Sequence, residues 1–81
     1  MNDLNARIES EQKALERLKR DFARFVELCE RTFRRAADPN DPLNAQAQQM
    51  LPIIAREVAQ FPETIARVER EIAELEERRD R

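Results

Sequence analysis

Apolar residues recur every three or four positions through the first half of the chain, which is the spacing of one face of an α-helix. They form two heptad rows, one holding Ile8, Leu15, Phe22 and Cys29 and the other holding Leu4, Leu18 and Phe25. Glu11 is the one polar residue that falls in this stripe. The spacing predicts a first helix over about residues 2–37.

The second half carries the same spacing, in a stripe formed by Ala47, Leu51, Ile54, Val58, Phe61, Ile65, Val68, Ile72 and Leu75. It predicts a second helix over about residues 42–79. Pro52 and Pro62 lie inside this stretch, and each removes a backbone hydrogen bond. Since the heptad phase runs through both prolines, we expect one helix that bends near them. The alternative is a short helix followed by a new helix with Pro52 in its first turn.

The stretch "AADPNDPL" separates the two halves. A residue that precedes proline disfavours the helical conformation, so Asp38 before Pro39 should end the first helix. Asp41 can accept a hydrogen bond from the free amides of the next helix, and Pro42 suits its first position. The turn then covers about residues 38–41, which is so short that the two helices must run antiparallel.

Antiparallel packing can be tested on the stripes themselves, because partners across such a seam have residue numbers that add up to a nearly constant value. The stripes give the pairs Ile8–Ile72, Leu15–Ile65, Phe22–Val58 and Cys29–Leu51 in one row, and Leu4–Leu75, Leu18–Phe61 and Phe25–Ile54 in the other. Each aromatic ring would then meet an aliphatic side chain. The sequence predicts an all-α fold, a single antiparallel two-helix hairpin of the coiled-coil type.

A hairpin of 81 residues is one domain with a small core, which is marginal unless something reinforces it. Cys29 is the only cysteine and there is no histidine, so neither a disulfide within the chain nor a common metal site is expected. Because Cys29 falls in the seam, we interpret it as a small buried hydrophobe; a reactive thiol or an interchain disulfide is the alternative. Oligomerisation remains as the common reinforcement.

More apolar residues lie near the turn than one seam needs, namely Val26, Leu28, Phe33, Met50 and Ile53. Exposed apolar clusters usually mark a contact surface, although these side chains could instead widen the seam or cap the turn. The predicted partner or dimer interface consists of Phe22, Val26, Leu28, Phe33, Met50, Ile53 and Ile54. Two hairpins that paired through it would form a homodimeric four-helix bundle.

The composition argues against catalysis. Without histidine or glycine the chain has no Ser-His or Cys-His pair and no glycine loop for phosphate, so we predict no catalytic residue, no cofactor, no metal and no small-molecule substrate. We interpret the carboxylates between residues 69 and 77 as a solvated face. No apolar run reaches the roughly 20 residues that span a bilayer, so no membrane partner is predicted. A lone cysteine and no export signal predict a cytoplasmic location.

Charged residues make up 40% of the chain with a net charge of −2, and the two signs alternate as on solvated helices. A basic run near the turn consists of Arg20, Arg24, Arg31, Arg34 and Arg35. In a dimer this run could hold the phosphates of a nucleic acid, although Glu27 and Glu30 interrupt it. The simpler interpretation pairs a basic first helix with an acidic second helix across the hairpin.

These patterns favour a non-enzymatic protein–protein interaction module that acts by self-association, by capture of a partner helix, or by both. In size and architecture the chain resembles small helical-hairpin adaptors, secretion co-chaperones and phage- or plasmid-borne regulators. The alternative function is a dimeric bundle that binds RNA or DNA through the arginine run.

Overall fold

The computed structural model describes residues 3–81 and contains two α-helices, α1 over Asp3–Ala37 and α2 over Asn44–Arg79. The helices pack along each other in opposite directions, so that the two ends of the described chain meet. The predicted all-helical hairpin is therefore confirmed. The expected start of helix one at residue 2 lies outside the described residues.

The first helix ends in a tight turn. The amide of Asp38 donates to the carbonyl of Arg35 at 3.2 Å, and Pro39 follows, which cannot continue the helix. The carboxylate of Asp38 then accepts the amide of Asn40 at 3.0 Å, a hydrogen bond that typically stabilises a turn. No residue of the described chain has a positive φ, so this reversal does not require glycine.

The second helix begins two residues later than predicted. Asp41 does accept the expected amide hydrogen bond, from Leu43 at 2.8 Å. However, the amide of Asn44 donates to the carbonyl of Asp41 at 3.0 Å, three residues back instead of four. This tighter bonding makes the residues before Asn44 a turn that leads into the α-helix.

Helix α2 runs without interruption from Asn44 to Arg79 and contains both Pro52 and Pro62. The structure therefore has one long helix here and not a new helix that starts at Pro52. Both prolines are exposed, so that their rings lie on the solvent side of the helix. A bend at these residues stays a prediction.

The core is a single seam between the helices. Its buried side chains are Ile8, Cys29, Ala47, Ile54, Ile72 and Leu75, all of which belong to the predicted stripes. Ile8 is the least exposed, at 3%, and forms a cluster with Ile72 and Leu75 at the end farthest from the turn. Cys29 is a free, buried thiol, which confirms its interpretation as a small core residue.

The middle of the seam differs from the prediction. The ring of Phe61 stacks on Phe22 with centroids 5.0 Å apart, and Phe25 lies 5.7 Å from the same ring. The expectation that each ring meets an aliphatic partner was therefore wrong. It placed Phe61 opposite Leu18 alone, whereas a phenyl ring is long enough to reach the next layer of the seam.

The molecule is a thin rod with Cα extents of 62 × 15 × 12 Å. Its radius of gyration is 18.5 Å, against about 12 Å for a compact chain of the same length. Two helices can shield only the stripe between them, and no side chain of residues 3–81 is fully buried. The rest of each helix remains available for other contacts.

Candidate functional site

Large apolar side chains are exposed on the half of the rod nearer the turn. They are Val26, Leu28, Phe33, Leu43, Met50 and Ile53, and the most exposed are Leu28 at 70% and Ile53 at 61%. The five residues that the sequence marked as surplus to the seam are all among them. Leu43, the last residue of the turn, was not among the predicted residues. The far half of the described rod shows no exposed side chain of this kind.

One broad side of the hairpin carries a shallow groove of about 170 Å³ between the helices. Its lining residues are Thr32, Arg35, Leu43, Gln46, Ala47 and Met50. Leu28 lies one heptad before Arg35, and Ile53 lies one turn after Met50, so both flank the same side. We call the surface formed by Leu28, Leu43, Met50 and Ile53 the groove face.

Val26 and Phe33 lie on the other broad side of the hairpin. They are one heptad apart and therefore share a side of α1, whereas the two-residue step from Val26 to Leu28 turns the helix by about 200°. The predicted interface is consequently two surfaces, with the groove face the larger. The heptad positions already distinguish the two surfaces, because Leu28 lies on one side of the seam residues and Val26 and Phe33 lie on the other.

The remaining two residues of the predicted interface belong to the seam. Ile54 is only 6% exposed, and Phe22 is half-buried against Phe61. Ile54 therefore supports the surface from beneath, whereas Phe22 keeps part of its ring exposed.

Hydrogen bonds between the helices hold the end of the groove in place. The side-chain amide of Asn44 donates to the carbonyl of Arg35 at 2.8 Å and to that of Ala36 at 3.1 Å. Gln48 adds a longer bond of 3.4 Å to the same Ala36 carbonyl. These donors satisfy carbonyls that the end of α1 leaves without a helical partner. The sequence signal for this cap is an asparagine at the start of the helix that follows a short turn, and it was missed.

The arginine run lies mainly beside the groove face, on the part of α1 that turns from Leu28 toward solvent. Arg20, Arg24 and Arg31 are exposed and follow one another at steps of four and seven residues, which places them on one side of the helix. Arg34 is also exposed, but its guanidinium lies 3.5 Å from the carboxylate of Glu30. Arg35 is half-buried and lines the groove. The structure thus brings most of the run together as a solvated stripe.

The predicted ion pairs between a basic α1 and an acidic α2 do not form within the part of the chain that the structure describes. The salt bridges there are Lys13–Glu9, Arg34–Glu30, Arg79–Asp80 and Arg81–Glu77. Each joins near neighbours in sequence, because a side chain one turn away on the same helix is closer than one beyond the seam. Such exposed pairs contribute well under about 1 kcal/mol each. Apolar packing, not ion pairing, therefore holds the two helices together.

Two further observations concern residues 3–81. No cluster of three or more carboxylate or thiol side chains among them is arranged to hold a metal ion. Neither α1 nor α2 is apolar over enough of its length to cross a bilayer.

Comparison of the chain with family models, with curated proteins and with solved structures returns no match in any of the three. What the surface can do is therefore inferred from its geometry and chemistry.

Proposed function

We propose that this hairpin is a protein–protein interaction module that works by self-association, and that its folded form in solution is a homodimeric four-helix bundle. The proposal is supported above all by how much surface the single chain leaves uncovered. The chain has an accessible surface of 6617 Å², whereas a compact monomer of its mass, 9.6 kDa, exposes about 5,100 Å². The excess is about 1,500 Å² per chain, or about 3,000 Å² for two chains, which is in the range that obligate homodimer interfaces bury.

The position of the uncovered apolar residues supports the same conclusion. They are concentrated on the half of the rod near the turn, and four of the six, Leu28, Leu43, Met50 and Ile53, share the groove face. Isolated exposed apolar residues are normal on a soluble protein, but a group on one surface usually marks a contact site. A second hairpin would provide the two further helices that complete a four-helix core.

A surface that accepts helices of a second copy has the shape and chemistry to accept a helix of another protein as well. We therefore include capture of a partner helix in the proposal, as expected for an adaptor, a co-chaperone or a regulatory protein. The charged residues around the apolar surface would then select partners, because like charges brought together disfavour the wrong ones. A cytoplasmic location is part of this proposal, and the free thiol of Cys29 is compatible with a reducing compartment.

Sedimentation equilibrium tests the proposal on the intact chain. We expect a species of about twice the 9.6 kDa chain mass at micromolar concentration. Ile53→Glu should shift the equilibrium toward monomer, because it introduces a charge into an apolar contact. Ala66→Glu is the matched control, since Ala66 is exposed on the far half of the same helix. A wild-type chain that is fully helical and monomeric throughout this range would overturn the proposal.

Nucleic-acid binding is the second candidate, and the exposed stripe of Arg20, Arg24 and Arg31 favours it. Guanidinium groups spaced along one side of a helix can follow a phosphate backbone. A gel-shift titration at low salt, with mixed single-stranded and double-stranded RNA and DNA, tests it. We expect retardation that Arg31→Glu weakens and that salt abolishes. The absence of any retarded species at low salt would end this alternative.

A further inference from the structure

We propose that the second copy binds on the groove face, with both turns at the same end of the dimer, so that α1 of each copy lies over α2 of the other. In this arrangement Arg24 of one copy faces Glu57 of its partner, twice by symmetry. The proposal rests on the self-association described above and adds which surface is used and how the two hairpins are oriented.

The groove face is the better of the two candidate surfaces. It holds the two most exposed large apolar side chains, Leu28 at 70% and Ile53 at 61%, together with Leu43 and Met50. The groove between the helices can accept a side chain from the partner, whereas Val26 and Phe33 form a narrower strip along α1 alone. Covering the groove face therefore removes the most apolar surface from water.

The uneven distribution of apolar residues along the rod selects the orientation. If the hairpins overlapped over their full length in opposite directions, each groove face would lie on the charged half of the other copy. With both turns at one end, the groove faces cover each other and the charged halves remain beside each other in solvent. A two-fold axis along the rod then places α1 over the partner's α2.

Opposite directions with overlap of only the turn halves would also bring the groove faces together. In that case two-fold symmetry places α1 over the partner's α1. Arg24 and Arg35 would then face the partner's arginines, and like charges brought together at an interface are unfavourable. The charges on α1 therefore disfavour this arrangement.

The charged pair lies at the edge of the proposed contact nearest the middle of the rod, and its position follows from helix geometry. Arg24 lies one turn before Leu28, and Glu57 lies one heptad after Met50, so both are on the groove face, and both are exposed. Leu18 and Phe61 line a second shallow groove together with Glu57, which shows that these parts of the two helices lie at the same level of the rod. Arg24 lies six residues nearer the turn than Leu18, and Glu57 lies four residues nearer the turn than Phe61, so their levels along the rod differ by about 3 Å, which an arginine side chain can span.

Charge reversal in separate chains tests the arrangement. Arg24→Glu and Glu57→Arg should each raise the dimer dissociation constant roughly tenfold, because each change replaces two attractive contacts by two repulsive ones. An equimolar mixture of the two variants should recover the wild-type affinity as a heterodimer, since both cross-pairs are then of opposite sign. Arg70→Glu, a reversal at an exposed site on another side of α2, is the control and should leave the affinity unchanged.

A pair formed within one chain gives a different result. The double variant Arg24→Glu/Glu57→Arg would then recover while the mixture of single variants would not. That result, or single variants that dimerise as wild type does, overturns the arrangement but leaves self-association intact. A wild-type chain that stays monomeric overturns both proposals.

Spin labels give an independent readout of orientation. In a Cys29→Ala background, labels on Asn40→Cys at the turn and, separately, on Glu77→Cys at the far end report the distance between copies. With both turns together, each label pair should lie within roughly 30 Å, since packed helices are about 10 Å apart. Opposite directions would separate the Glu77→Cys labels by about the 62 Å length of the rod or more, and that distance would overturn the proposal.

Discussion

The ring of Phe61 stacks on that of Phe22, with centroids 5.0 Å apart and ring planes only 14° from parallel. The centroid of the Phe25 ring lies 5.7 Å from that of the same Phe61 ring. One aromatic side chain of α2 thus joins two successive layers of α1 in the middle of the hairpin. Because the core has few buried residues, these contacts should account for a large share of the stability.

Phe61→Leu should therefore destabilise the hairpin more than the loss of apolar area alone explains. The substitution keeps an apolar side chain but removes both ring contacts, and we expect a loss of about 1–2 kcal/mol in the free energy of unfolding. Urea unfolding followed by circular dichroism, at one chain concentration for all variants, measures this change.

The matched control for Phe61 is Phe33→Leu, the same substitution at an exposed ring nearer the turn. We expect its effect to be within about 0.5 kcal/mol. Equal losses at the two positions would show that the aromatic stack contributes nothing specific.

Asn44→Ala should loosen the turn end of the hairpin. The substitution removes the hydrogen bonds of 2.8 and 3.1 Å to the carbonyls of Arg35 and Ala36, and we expect a loss of about 1 kcal/mol. Gln49→Ala is the control, because it removes an exposed amide side chain from the same helix and should be neutral or slightly stabilising. If both variants have the same thermal midpoint, the cap between the helices is not important for stability.

Replacement of the helix prolines should stabilise the chain. Pro52→Ala and Pro62→Ala each restore a backbone donor inside a continuous helix, and we expect a gain of about 1–2 kcal/mol per site. Differential scanning calorimetry of the single variants measures the gain. A lower midpoint for Pro52→Ala would indicate that this proline starts a separate helix in solution, where its fixed φ is favourable.

Much of the fold follows from local rules that act within a few residues. Asp38 before Pro39 ends α1 by a steric clash that any chain would feel, and the heptad rows dictate which sides of the helices meet. Ile8, Ile72 and Leu75 were placed in the seam on this basis, and the structure buries them together. The hairpin is accordingly well determined by its sequence.

The features that sequence reasoning missed depend on how far side chains extend in three dimensions. The sequence predicted the level of Phe61 along the rod within one layer, but the direction of its ring, toward Phe22, depends on packing in three dimensions. The amide of Asn44 likewise finds the carbonyl of Arg35 because the turn brings them together, and residue spacing does not encode that contact. Val26 and Leu28 are close in sequence but lie on different sides of α1, so a count of apolar residues near the turn merged two surfaces into one.

The guanidinium of Arg79 lies 3.5 Å from the side-chain oxygen of Asn5, at the end of the rod opposite the turn. A donor dye and an acceptor dye attached near the two ends of a single chain would therefore transfer energy efficiently while the helices are paired. Separation of the two helices would move the dyes apart and lower the energy transfer. Energy transfer between dyes near Asn5 and Arg79 would therefore measure the opening of the hairpin directly.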